Sequence, residues 1–169
     1  MRRSERIGSL IGAIGGLLFV LINAAGLPSP LGVVAAVVGV VLFIAVDVLV
    51  VFRRRAAVPE DPPSRSQIRT YGFSVTGMVV AILLGSRFLA SIDRVNYIVL
   101  WGVFCVGAHF VPFARAFEVP VFVRLALAMM AVAVVGGVVA ELTSSDDAPF
   151  VTAVVAGFLL LGAALTPAL

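Results

Sequence analysis

The run Leu42-Phe43-Ile44-Ala45-Val46-Asp47-Val48-Leu49-Val50-Val51-Phe52 closes an apolar stretch that opens at Leu31 and meets its first arginine at Arg53. A stretch of this length matches the roughly 20 residues that cross about 30 Å of hydrocarbon. It reads as a transmembrane helix carrying one carboxylate. Moving outward with a window of about 19 residues, the remaining chain divides the same way. Spans are expected at about residues 7–26, 31–52, 68–90, 95–114, 121–140 and 149–167. Between them lie turn-forming breaks: Leu27-Pro28-Ser29-Pro30, the polar loop 53–67 with Pro59, Pro62 and Pro63, Ser91-Ile92-Asp93-Arg94, Arg115 to Pro120, and Glu141 to Ala148.

Composition supports that division. Of 169 residues, 62% are hydrophobic and 12% charged, and the mean hydropathy is +1.18. A soluble domain of this length has too little interior to hide so much apolar surface. No segment alternates apolar and polar residues in the manner of a transmembrane barrel. The expected fold is an all-α integral membrane protein, one multi-pass domain built as a compact bundle of six transmembrane helices. Five would remain if the first span were a cleaved signal peptide. Met1-Arg2-Arg3-Ser4-Glu5-Arg6 and Ala24-Ala25-Gly26 have that look, but an apolar run of about twenty residues exceeds the usual 7–15 and favours a retained helix.

Arginine placement orients the spans. With the amino terminus cytoplasmic, the inner segments hold Arg2, Arg3, Arg6, Arg53, Arg54, Arg55, Arg65, Arg69, Arg115 and, one turn into the fifth span, Arg124. The outer side has Arg87 and Arg94, and the acidic segment Glu141 to Asp147 falls there too. The positive-inside rule therefore places both termini in the cytoplasm of a bacterial-type inner membrane. The net charge of +3 and pI near 10.0 come from arginines flanking apolar segments, so nucleic acid is not an expected partner. The bilayer is.

Several chemistries are excluded by what is absent. All twelve basic residues are arginines, which removes Schiff-base and P-loop lysine chemistry. Cys105 and His109 are each the sole residue of their type, so no zinc-finger or paired-histidine haem pattern exists. No metal and no cofactor are expected. Nothing matches a serine elbow or a catalytic carboxylate dyad.

Small residues every fourth position let helix backbones approach closely in lipid. Ser4, Gly8, Gly12 and Gly16 form such a stripe in the first span, Gly77, Ala81 and Gly85 in the third, and Ala133 with Gly137 in the fifth. Their expected use is packing within the chain, with a homodimer seam as the other.

Ionisable groups inside a span are costly and call for a reason. Asp47 falls roughly 8 Å to the cytoplasmic side of the middle of its span, and His109 roughly 7 Å to the same side of its own. A carboxylate–imidazole pair at that depth could hold a proton, bind a cation or tie two helices. Pro112 should kink the helix beside His109 and free the Ala108 carbonyl. Arg115 and Glu118 would supply supporting charges at the cytoplasmic end. Cys105, one turn from His109, gives with Asp47 at most three metal ligands from separate helices, too few for a convincing site. Toward the other face, Arg87 and Arg94, with Asn23, form a candidate outer site for an anion, although Arg87 is close enough to the surface to snorkel. Trp101 and Tyr97 read as an aromatic belt. Two functions follow: proton- or ion-linked transport using Asp47 and His109, or a non-catalytic assembly or accessory subunit that packs with itself or a partner subunit through its small-residue faces.

Overall fold

A computed structural model describes residues 3–52 and 62–165 of the chain, with side chains from 8–49 and 62–165. The described residues form six α-helices and no strand. These are α1 (Arg3–Ala24), α2 (Leu31–Phe52), α3 (Arg65–Ser91), α4 (Ile98–Phe117), α5 (Pro120–Thr143) and α6 (Ala148–Leu165), with a 3₁₀ turn at Val95–Tyr97 leading into α4. The last five are long and apolar enough to cross a membrane. In α1 the apolar part, Gly8–Ala24, is shorter, while the whole 22-residue helix is about 33 Å long. The protein is an all-α membrane protein.

Helix ends differ from the expected limits for local reasons. α3 starts at Arg65, inside the expected loop, because Ser64 and Gln67 form a reciprocal capping box. The Ser64 Oγ accepts from the Gln67 amide at 3.2 Å, and the Ser64 amide donates to Gln67 Oε1 at 2.8 Å. α4 runs on to Phe117 and stops where Glu118 takes a left-handed conformation, φ 54°. Pro120 then supplies the first turn of α5, whose missing N–H costs nothing there. α5 continues past Ala140 to Thr143 before Ser144 turns left-handed, φ 50°. The triple arginine 53–55 and Pro167 lie outside the described residues.

The chain divides into two compact units, one of residues 1–62 and 154–169 and the other of residues 63–153, so that α6 contributes to both. In the first unit, Ala13 and Val20 of α1, Val46 of α2 and Leu161 and Ala164 of α6 form a buried core. Leu10, Leu42, Phe43 and Phe158 pack around it. Close approach depends on glycine. A Cβ on Gly16 would stand 2.7 Å from the Gly157 carbonyl oxygen, and one on Gly157 would stand 2.7 Å from that of Gly16. Gly39 of α2 likewise leaves room for Val20. The glycine stripe of α1 is thus used inside the chain, but unevenly: at Gly12 a Cβ would meet Ala164 at an ordinary 3.9 Å.

The second unit packs α4 against α3 on one side and α5 on the other, around Leu100, Val103, Met129 and Ala133. α3 has no buried residue. Its expected stripe is half realised. Gly85 lies under the Trp101 ring, which a Cβ would strike, whereas Gly77 is exposed with nothing near it. In α5 the tight position is Gly136, which receives the Thr152 side chain; Gly137 meets only Leu100, at 3.7 Å.

Gly16→Leu is expected to cost at least the ~1–3 kcal/mol of overpacking, because a helix backbone must move. Gly15→Leu, where a Cβ meets nothing within 4 Å, should be near neutral. Unfolding of the two variants in detergent decides the point; equal losses would show that the Gly16–Gly157 crossing is not what holds the first unit.

Candidate functional site

The polar groups of the spans sort into those the chain satisfies itself and those it leaves open. His109 belongs mostly to the first kind. Its ring lies half-buried in α4, with Nδ1 2.5 Å from the Val106 carbonyl oxygen of the preceding turn and its centroid 4.2 Å from that of Phe110. Phe110 stacks on Phe122 of α5, and Phe113 meets Tyr71 of α3 and Phe122 edge to face. The imidazole sits at the margin of an aromatic cluster that joins three helices.

Pro112 is inside α4 as expected, and the third helix answers it. Ser74 of α3 donates its hydroxyl to the His109 carbonyl oxygen at 2.7 Å. This is one residue beyond the carbonyl that the proline deprives of its usual donor. Serine hydroxyls on neighbouring helices commonly supply such bonds in membranes. Gln67 does the same nearer the helix end, donating to the Ala116 carbonyl at 3.0 Å, and Trp101 Nε1 donates to the Ala81 carbonyl at 2.8 Å. Trp101 is therefore an interhelical tie seated on Gly85 as well as an aromatic near the end of its span. None of Ser74, Gln67 and the Trp101 indole announces its acceptor in the sequence, since each acceptor is a backbone carbonyl.

At the opposite end of α4 the polar groups form a three-residue cluster and a separate pair. Arg94 pairs with Glu141 at 2.9 Å, the Tyr97 hydroxyl donates to the same carboxylate oxygen, and Asn96 donates to Asp146 at 3.1 Å. The Arg94 guanidinium also lies over the Tyr97 ring, 5.5 Å from its centroid. The Glu141 hydrogen bond and charge hold Arg94 above its ordinary pKa. Arg87, exposed one turn before the end of α3, has no ion pair among the described residues. Asn23, in the first unit, spends its amide on the Phe19 carbonyl of its own helix at 2.8 Å. Of the three expected outer-site residues, Arg94 is engaged by a carboxylate and Asn23 by backbone.

Two groups of the first unit are left open: the Ser9 hydroxyl of α1, which is buried without a hydrogen-bond partner among the described residues, and the carboxylate of Asp47. Asp47 sits on α2 one residue after Val46, which is fully buried, and helical geometry turns it away from that core onto an exposed face with Ile44 and Val48. No described residue hydrogen-bonds or ion-pairs with it. Asp47 lies in the first unit and His109 in the second. Arg115 and Glu118 are exposed at the end of α4, likewise without an ion pair among the described residues. Cys105 is buried and free, and the described residues contain no cluster of three or more His, Cys, Asp or Glu able to hold a metal. Comparison of the chain with protein-family models, curated proteins and solved structures finds no match.

Ser74→Ala should lower stability by about 0.6 kcal/mol, the typical worth of a polar contact between membrane helices, and by no more than about 1.7. Reversible unfolding in bicelles measures it. An unchanged stability would mean that the His109 carbonyl does not depend on Ser74.

Proposed function

We propose that this chain is a non-catalytic membrane assembly subunit that binds a partner through the exposed face of α2. The observation that carries this reading is Asp47: a carboxylate within a helix of the span type, turned away from its own core and lacking a described partner. An aspartate left against lipid tails costs on the order of 2.5–3.5 kcal/mol at the centre of a span on insertion scales and less toward the ends, so such groups face protein, water or one another. A partner helix that covers the face and pairs with the carboxylate removes that cost. Proton- or ion-linked transport through Asp47 and His109 draws less support, because the imidazole bonds to a carbonyl of its own helix and packs on Phe110.

Photo-crosslinking in intact membranes tests assembly directly. With benzophenone at Ile44, on the Asp47 face, a discrete protein adduct is expected. At Val79, on the exposed side of α3, lipid adducts are expected. Lipid adducts alone at Ile44, and at every other exposed α2 position, would overturn the reading.

The arginine distribution supports an inner-membrane location with both termini cytoplasmic. In a Cys105→Ala background, Ser64→Cys should then be labelled by an impermeant maleimide only after the inner face is opened, and Ser145→Cys from outside. The reverse pattern would invert the orientation.

A further inference from the structure

We propose that the partner is a second copy of this chain, and that Asp47 of one copy pairs with Arg124 of the other; this rests on the assembly reading above. Arg124 is a complement for Asp47, which has no partner among the described residues. It is exposed on α5, and no described residue pairs with it. From the middle of its own helix it lies about 11 Å toward the amino-terminal end, while Asp47 lies about 8 Å from the middle of α2 toward the carboxy-terminal end. On the topology that the arginine distribution implies, α2 ends and α5 begins at the cytoplasmic side. The two charges share a depth to within the reach of an arginine side chain.

The faces below them also agree. An α2 from one copy against an α5 from another would run antiparallel. With Asp47 beside Arg124, steps of three, seven and ten residues toward the bilayer middle bring Ile44 opposite Leu127, Val40 opposite Ala131 and Val37 opposite Val134. All six are exposed. Such steps follow one stripe of a helix, so a single apolar seam continues from the charged pair.

Arg115 has a comparable depth but a different position. It lies in the last turn of α4, where the carbonyl end of the helix favours a cation. Arg124 lies near the amino-terminal end of α5, where the helix offers a cation nothing. The guanidinium fork of either arginine suits a carboxylate; Arg124 is the better match for Asp47 because its own helix end does not already favour it.

The test is oligomer size in lipid nanodiscs, with crosslinking beside it. The native chain should form a larger species that Asp47→Arg and Arg124→Asp each abolish and that the double variant restores, since reversal of both charges rebuilds the pair. Because a reversed charge could block folding, a second arm uses Cys105→Ala chains. One carries Asp47→Cys and the other Arg124→Cys, and co-expressed they should give a linked heterodimer. A larger species indifferent to both charge reversals, with no linked product, overturns the pair but leaves assembly standing. A native chain that stays monomeric in nanodiscs overturns self-association. If Ile44 still yields a protein adduct in membranes, that adduct is a different protein and the assembly reading survives; if Ile44 and every other exposed α2 position yield only lipid, both readings fall.

Discussion

Hydrocarbon offers a protein neither hydrogen-bond partners nor a hydrophobic reason for its helices to meet. Backbone polar groups must therefore be satisfied within each helix, and helices must be joined by contact between backbones or by side-chain hydrogen bonds. Both devices are used here, in different places. The first unit relies on contact: Gly16 and Gly157 bring the carbonyl of each helix against the Cα of the other, and Val20 fills the space left by Gly39. The second unit relies more on bonds from side chain to carbonyl, with Trp101 reaching Ala81, Ser74 reaching His109 and Gln67 reaching Ala116. Those three bonds are spread along α3, which packs against α4 yet buries no residue.

This division explains why α3 tolerates so polar a start. Ser64, Arg65, Ser66, Gln67 and Arg69 would be poor material for a buried helix, yet Ser64 caps it and Gln67 serves twice, closing the capping box and bonding to α4. The aromatic cluster beside it works through shape instead. Tyr71, Phe110, Phe113 and Phe122 meet stacked or edge to face, contacts whose geometry adds to area alone. With Pro112 among them, a helix that has lost one internal bond is held by rings from α3 and α5 and by the Ser74 hydroxyl of α3.

What could be read from the sequence follows the same physics. Spans are written in composition over about twenty residues, so averaging recovers them and local detail barely matters. The start of α2 at Leu31 was legible to the residue because Pro30 precedes it. The limits of α3 and α5 were not, since a capping box and a left-handed serine decide them and hydropathy is blind to both. Small-residue spacing found Gly16 and Gly85 but also offered Gly77, which touches nothing, and passed over Gly136, which accepts Thr152. A spacing rule specifies a stripe; only the neighbour decides whether the stripe is used. Bonds to carbonyls were invisible for a plainer reason, because every residue has a carbonyl and no residue type marks the one that will accept.

Asp47 is legible in a different sense. Its type and depth are plain from the sequence, and within one chain His109, at a similar depth in its own span, is the natural partner. Its orientation changes the question. A carboxylate turned toward its own core would have to be answered by the same chain, whereas one turned outward is answered by whatever covers α2. The chain's internal polar groups show what answering looks like: Asn23 bonds to Phe19, Thr152 to Ala148 and Trp101 to Ala81, each within about 3 Å, the ordinary range for such bonds. Against that pattern an outward aspartate and an outward arginine, both inside spans, have the character of two halves of one contact. Neither improves its own helix, and each lowers the cost of the other only when their helices are brought face to face.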